Sequence, residues 1–330
     1  MEKTTSQKIL DYIKRNGQAS GKELEDYLGT IGSRAVRKQL KNLLDKGFLS
    51  KAGRPPKVYY LLALHNFQKV NEQSLSLPDK KTFDVIEDRY LFISPTGEAK
   101  YGWEGFTLWC EKTKQDPVKT AGEYITTLKR YDKFRRGDLI SGIEKMKHTF
   151  EKVFLDKLFY LDFYSIERFG KTKLGQMLLY AKQSQNKTLI RNIVGEIKNK
   201  IQKVVRKYEI DGVLFIPPTV KREVQFMKEL ENGLKLSIKT LGVAKVKTEI
   251  AVPQKTLSRL EDRIENAKRT IVVDDTGSYK NILIIDDAVG SGSTLNETAR
   301  QIKRKGICSG QVIGLAITGS YKGFDVISEV

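Results

Sequence analysis

Apolar residues fall at helical spacing at Ile9, Leu10 and Ile13, which predicts an amphipathic helix over residues 6–15, broken by Asn16-Gly17. Ser20, with Glu23 three residues on, has the form of a capping box and predicts a second helix ending at Gly29. Ser33 opens a third, with Val36, Leu40, Leu43 and Leu44 inward and Gly47 as its stop. Phe48-Leu49, a polar turn over 50–57 with Gly53, Pro55 and Pro56, and the run Val58-Tyr59-Tyr60-Leu61-Leu62 read as a hairpin. Residues 1–62 thus form one small unit. Residues 63–82, rich in Asn, Gln, Ser and Lys, read as a linker. In the mainly helical stretch 83–153, Tyr90–Ser94 and Ala99–Trp103 flank a Pro95-Thr96-Gly97 turn, and no chemistry stands out. From 154 to 330 helices alternate with apolar strands. The predicted strands are Gly212–Ile216, Lys245–Ile250, Thr270–Val273, Ile282–Ile285 and Gln311–Ile317, and the helices 189–208, 221–240 and 294–305. Such alternation argues for an α/β domain with a largely parallel sheet.

Length and composition constrain this picture. At 330 residues there is material for two or three domains, and no apolar run is long enough to cross a bilayer. The first residues lack the apolar core of a secretory signal. Cys110 and Cys308 are too far apart for a metal knuckle. A cytoplasmic protein without membrane partners is expected. The net charge of +19 favours polyanionic partners, although lysine-rich surfaces also serve solubility.

The most informative stretch is Asn281-Ile-Leu-Ile-Ile-Asp-Asp-Ala-Val-Gly-Ser-Gly-Ser-Thr-Leu295. An apolar strand ends in two carboxylates, a loop of small residues follows, and a helix begins near Thr294. Ligands of open α/β sheets sit at the carboxyl ends of strands. Ala288, Val289, Gly290, Ser291, Gly292, Ser293 and Thr294 can turn backbone N–H groups, hydroxyls and a helix N-terminus toward one anion. Asp286 and Asp287 would repel a bare phosphate. A ribose diol, alone or with Mg²⁺ held through it or through water, suits them. A P-loop lysine is missing after Gly292, and Leu295 stands where a dinucleotide fingerprint needs glycine. An ordinary strand–turn–helix with solvated acids is the plain alternative. Val272-Val273-Asp274-Asp275 also sets two acids after an apolar run, but Thr276-Gly277-Ser278 leads straight to the next strand, which predicts a hairpin turn.

The 282–294 segment resembles the PRPP (phosphoribosyl pyrophosphate) motif of type I phosphoribosyltransferases. The resemblance makes Asp286 and Asp287 the ribose-binding, catalytic pair and Gly290–Thr294 the 5′-phosphate loop. Gly290-Ser291 stands where that family usually has Thr-Thr. Over about residues 156–320 the chain is similar to the ComF-like branch. Pro253-Gln254-Lys-Thr-Leu257-Ser258, continuing to Arg263 and Asn266, looks like its mobile segment, so Gln254, Leu257, Ser258, Arg263 and Asn266 are expected near substrate. Pro218, Thr219, Lys221 and Arg222 would match the pyrophosphate loop. The branch's R-G-F-N-Q run is shortened here to Arg222-Glu-Val-Gln225, and its zinc knuckle is missing. The resemblance implies a mostly parallel sheet with flanking helices, binding of PRPP or a ribose 5-phosphate compound, Mg²⁺ as cofactor, and transfer of phosphoribosyl to a nitrogen nucleophile. The only histidines, His65 and His148, lie far upstream, so histidine acid–base chemistry is not expected.

Residues 5–62 resemble winged helix-turn-helix domains. Ser33–Lys41 would be the recognition helix and Gly53–Tyr60 the wing. Arg34, Arg37, Lys38 and Lys41 can share one face, with Arg and Gln able to read base edges, while Lys51, Arg54 and Lys57 could meet phosphates. DNA is the expected partner, protein docking the alternative. Three readings follow: a PRPP-sensing DNA-binding regulator, an active phosphoribosyltransferase localised by its winged helix, and a protein of DNA uptake or processing. A homodimer is compatible with each.

Overall fold

The computed structural model describes residues 4–29, 31–46, 48–54, 57–62, 77–220, 222–246, 257 and 259–320. The chain divides into two compact units, Met1–Ser76 and Leu77–Val330.

In the first unit the order is α1 (Thr5–Asn16), β1 (Gln18–Ser20), α2 (Gly21–Leu28), α3 (Ser33–Asp45), β2 (Leu49–Arg54) and β3 (Lys57–Leu62). The Ser20 box forms: Glu23 N donates to Ser20 Oγ at 3.2 Å, and Ser20 N donates to Glu23 Oε2 at 2.6 Å. A second box, Thr4 with Gln7, opens α1. Ile9, Ile13, Leu24, Val36, Leu40 and Leu43 close the core. The predicted hairpin is the β2–β3 ribbon. Its strand β3 also pairs with β1, a third strand that three residues of pattern could not announce. Gly53 sits at φ +86°, and a Cβ there would stand 2.3 Å from the Lys57 carbonyl oxygen, so the ribbon requires glycine at this point.

The second unit begins with α4 (Lys80–Arg89), β4 (Leu91–Ile93), β5 (Ala99–Tyr101), α5 (Gly102–Lys112), α6 (Pro117–Asp132), β6 (Arg135–Arg136), β7 (Leu139–Ser141) and α7 (Ile143–Thr149). It continues with β8 (Lys157–Phe163), β9 (Ser165–Ile166), β10 (Gly170–Lys171), α8 (Lys173–Ser184), α9 (Lys187–Lys207), β11 (Gly212–Phe215), α10 (Phe226–Leu234) and β12 (Lys239–Thr240). Then come β13 (Val243–Lys245), α11 (Leu260–Thr270), β14 (Ile271–Val273), β15 (Ile282–Val289), α12 (Ser293–Lys305) and β16 (Val312–Gly319). The fold is mixed α/β around one seven-stranded sheet in the order β12-β11-β15-β16-β8-β7-β6. From β12 to β8 the strands are parallel, while β7 and β6 add antiparallel.

Period-two patterning gives the sheet two buried faces. Ile282 and Ile284 of β15 pack with Leu295, Ala299 and Ile302 of α12. Leu283 and Ile285 pack on the other side with α8, α9 and α10, where Ile190, Ile193, Val194, Ile197, Ile201 and Val204 form the apolar stripe of α9.

Several expectations change. The division at 153/154 marks no break in the packing. Strands β6 and β7 extend the main sheet, and Phe106, Tyr124 and Met146 share one core with β15 and α12. The second unit also reaches back into the expected linker, since Asp79 caps α4. The helix expected over 221–240 is only α10, because Gly233 and the left-handed Lys235 close it. Of the strand expected over 245–250 only Lys245 lies in a strand, as the last residue of β13; Val246 falls beyond it, and 247–250 lie outside the described residues. Strand β14 does not turn back onto β15 as a hairpin; it pairs with β13 in a separate ribbon, which takes its hydrogen bonds elsewhere. No helix among the described residues is long and apolar enough to cross a membrane.

Candidate functional site

The chain runs from β11 outward to β12, returns to β15, and continues the opposite way to β16. Strand order therefore reverses between β11 and β15, where a crevice must open beyond their carboxyl ends. The pairing of β11 stops at Phe215 opposite Ile285, with a last bond from Ile216 N to Ile285 O at 2.9 Å. Beyond it, Asp286–Val289 pairs only with β16. The acidic pair, expected where the strand ends, therefore lies inside its last half, on a stretch with one edge open to the crevice.

That crevice is a cleft of about 260 Å³. Asp286, Asp287, Ala288, Val289, Gly290, Ser291, Gly292, Ser293 and Thr294 all line it, as do Pro218, Thr219 and Arg222 from the turn after β11 and Arg263 from α11. Gly292 caps α12 in a left-handed conformation, φ +79°, and offers no capping side chain. Of the first turn of α12, the Thr294 and Leu295 N–H groups remain for whatever enters the cleft, since the Ser293 N–H is taken by Ser291. Ser291 and Ser293 are buried and share a hydroxyl contact of 2.9 Å, with Ser293 N also donating to Ser291 Oγ at 3.3 Å. Arg263 is buried, its Nε donating to the Leu257 carbonyl at 2.7 Å, and its Nη1 lies 3.5 Å from where a Gly290 Cβ would be.

Two cations that no motif announced complete the site. Lys182, near the end of α8, places Nζ 2.8 Å from Asp287 Oδ2. Lys245, ending β13, donates from Nζ to Thr219 Oγ1 at 2.7 Å. Burial pushes the Asp286 carboxyl up to about 7, helped by the Asp287 charge, while the Asp287 N–H, Lys245 and Lys182 pull it back. Burial likewise lowers Lys245, against the pull of Asp286 and Asp287, and lowers Arg263. Sequence reasoning missed both lysines because a chain with 59 Lys and Arg residues gives no local sign of which two fold inward.

Not every expected residue joins the cleft. Arg222 does line it, but it is exposed and donates from Nη1 to the Lys182 main-chain carbonyl, tying the β11 turn to α8. Asn266 sits one helical turn from Arg263 but does not line the cleft, and its Nδ2 is buried without a hydrogen-bond partner. Lys221, Gln254, Ser258 and the Arg54 side chain lie outside the described residues.

Magnesium at Asp286 and Asp287 meets a poor donor set. One carboxylate is already paired with an ammonium, the other holds its proton to near neutrality, and no group of three or more His, Cys, Asp or Glu fit for a metal occurs among the described residues. These residues do not make a resident metal site.

In the first unit Arg34, Arg37, Lys38 and Lys41 are exposed on α3, opposite buried Val36, Leu40 and Leu43. Lys51 and Lys57 are exposed on the ribbon. Gln39 differs from expectation: its Oε1 accepts from Ser6 Oγ at 2.8 Å, fastening α3 to α1. No family model matches the chain, and no curated protein matches it.

Proposed function

We propose that the second unit binds phosphoribosyl pyrophosphate by its ribose 5-phosphate end and that the first is a winged helix that binds DNA. One observation carries the first half: at the switch point of a parallel sheet, a single cleft joins a carboxylate pair to a glycine–serine loop opening a helix. Phosphate would take the N–H groups and hydroxyls of Gly290–Thr294, and ribose hydroxyls would donate to Asp286 and Asp287. Arg222, Lys245 and Arg263 bring positive charge for the pyrophosphate. These features support a type I phosphoribosyltransferase-like reading of the ComF-like kind. The α–β–α–α–β–β order with a basic face on α3 supports the winged helix.

Transfer is a second reading, favoured by the cations gathered where pyrophosphate would depart. A nitrogen nucleophile would attack C1 of the ribose, the C1–oxygen bond would break, and pyrophosphate would leave with the electron pair. The protein's work is positioning and charge stabilisation. Any Mg²⁺ would arrive on the ligand's own pyrophosphate oxygens. Titration calorimetry with PRPP tests binding. Saturable binding lost in Asp286→Asn/Asp287→Asn supports the reading, and no heat with the wild type overturns it. Pyrophosphate release across a panel of amines and bases separates transfer from sensing.

A further inference from the structure

The two lysines that line the cleft pose a question the sugar–phosphate reading leaves open: what balances the acidic pair. A carboxylate facing a phosphorylated ligand repels it unless a cation stands between, and a divalent ion is the usual means. Here Lys182 is already 2.8 Å from Asp287, and both side chains are mostly buried. Its position is secured twice. Leu174, Met177, Leu178 and Ala181 seat α8 in the core, and the Arg222 guanidinium, from the turn after β11, donates to the Lys182 carbonyl. Lys245 is held by Thr219 and attracted by both aspartates.

Resting on the reading above, we infer that Lys182 and Lys245 are built-in counter-cations, so that this site takes ribose 5-phosphate without a divalent ion. Lys182 is the positioning residue of the pair. It neutralises Asp287 while leaving the second oxygen of that carboxylate for a sugar hydroxyl. A Mg²⁺ at the same carboxylate would have to displace the ammonium or sit beside it, and like charges at such a distance repel.

The test is titration calorimetry of the full chain with ribose 5-phosphate, once in EDTA and once in MgCl₂ at matched ionic strength. The two affinities are expected to agree within about threefold. In Lys182→Met the bare carboxylate should make binding weak in EDTA and raise it about tenfold or more with Mg²⁺, whereas Lys182→Arg should behave as the wild type. Lys182 is partly exposed in the last turn of α8, so neither change touches the core. A wild-type affinity that rises tenfold or more with Mg²⁺, on the order of a full coupling between sites, overturns the inference while leaving the sugar–phosphate reading intact. A folded Lys182→Met variant that stays indifferent to Mg²⁺ overturns the role of Lys182. No binding under either condition overturns the reading of the cleft itself, and the inference with it.

Discussion

Met146, on α7, lies directly under Gly292: a Cβ added to that glycine would stand 3.1 Å from the methionine methyl and 3.3 Å from its sulfur. The floor of the 290–294 loop is thus supplied from the region before β8. Gly292→Ala should meet both this contact and a left-handed backbone, which costs roughly 1–2 kcal/mol for a side-chain-bearing residue. Weaker ribose 5-phosphate binding and a lower melting temperature are expected. Adding Met146→Ala should recover part of the stability and little of the binding, because the backbone penalty remains. Full recovery of both would show that φ at Gly292 does not matter.

Asp286 gives the site a pH dependence whose sign can be worked out. Its folded-state pKa, about 7, lies above the usual carboxylate value near 4, first through burial and then through Asp287. The folded protein therefore binds a proton that the unfolded chain releases, and stability falls as pH rises from about 4 to 7. Asp286→Asn should flatten this slope and raise the melting temperature above pH 7. Melting curves between pH 5 and 8, read for both proteins, check it; parallel curves would contradict it.

Ligand affinity should run the other way. A ribose hydroxyl donates to the ionised carboxylate, so binding should strengthen as pH rises through about 7. The ligand's phosphate also titrates, near pH 6. Asp286→Asn separates the two, since its remaining pH dependence belongs to the phosphate and, at higher pH, to the Lys245 ammonium that burial lowers. Equal profiles for variant and wild type would remove Asp286 from the binding step.

Asn296 on α12 accepts from Phe154 N at 2.8 Å and donates to the Lys152 carbonyl at 3.0 Å. It clamps the segment before β8 onto the helix that opens at the 290–294 loop. Asn296→Ala should cost on the order of 1 kcal/mol, the loss of two hydrogen bonds to part-buried main-chain groups. A fragment beginning at residue 154 should fail to fold, whereas one beginning at 77 should fold. Denaturant unfolding of the three proteins checks both statements, and a stable 154–330 fragment would restore a boundary there.

On the first unit, the exposed row Arg34, Arg37, Lys38 and Lys41 should dominate any DNA affinity. Replacing Arg37 and Lys41 with alanine should weaken binding and reduce the slope of log K against log salt by about one per lost phosphate contact. Mobility shifts at several salt concentrations measure this. An unchanged slope would turn attention to protein docking.

Local pattern determined much of this protein. The capping residues Ser20 and Glu23, the inward stripe of α3 and the apolar run Ile282–Ile285 were legible because each depends on neighbours a few residues away. The small-residue loop at 290–294, opening a helix, was legible for the same reason, since glycine and serine set their own backbone. Only the tertiary structure decided the rest. It brought Lys182 and Lys245 to the acidic pair, made β14 a partner of β13, and folded 77–153 into the same sheet and core as β15. Those are contacts between residues tens to hundreds of positions apart. Nothing in a lysine's immediate neighbours says which strand end it will face, because burial and Coulomb attraction act through space, while sequence pattern records only what adjacent residues require of each other.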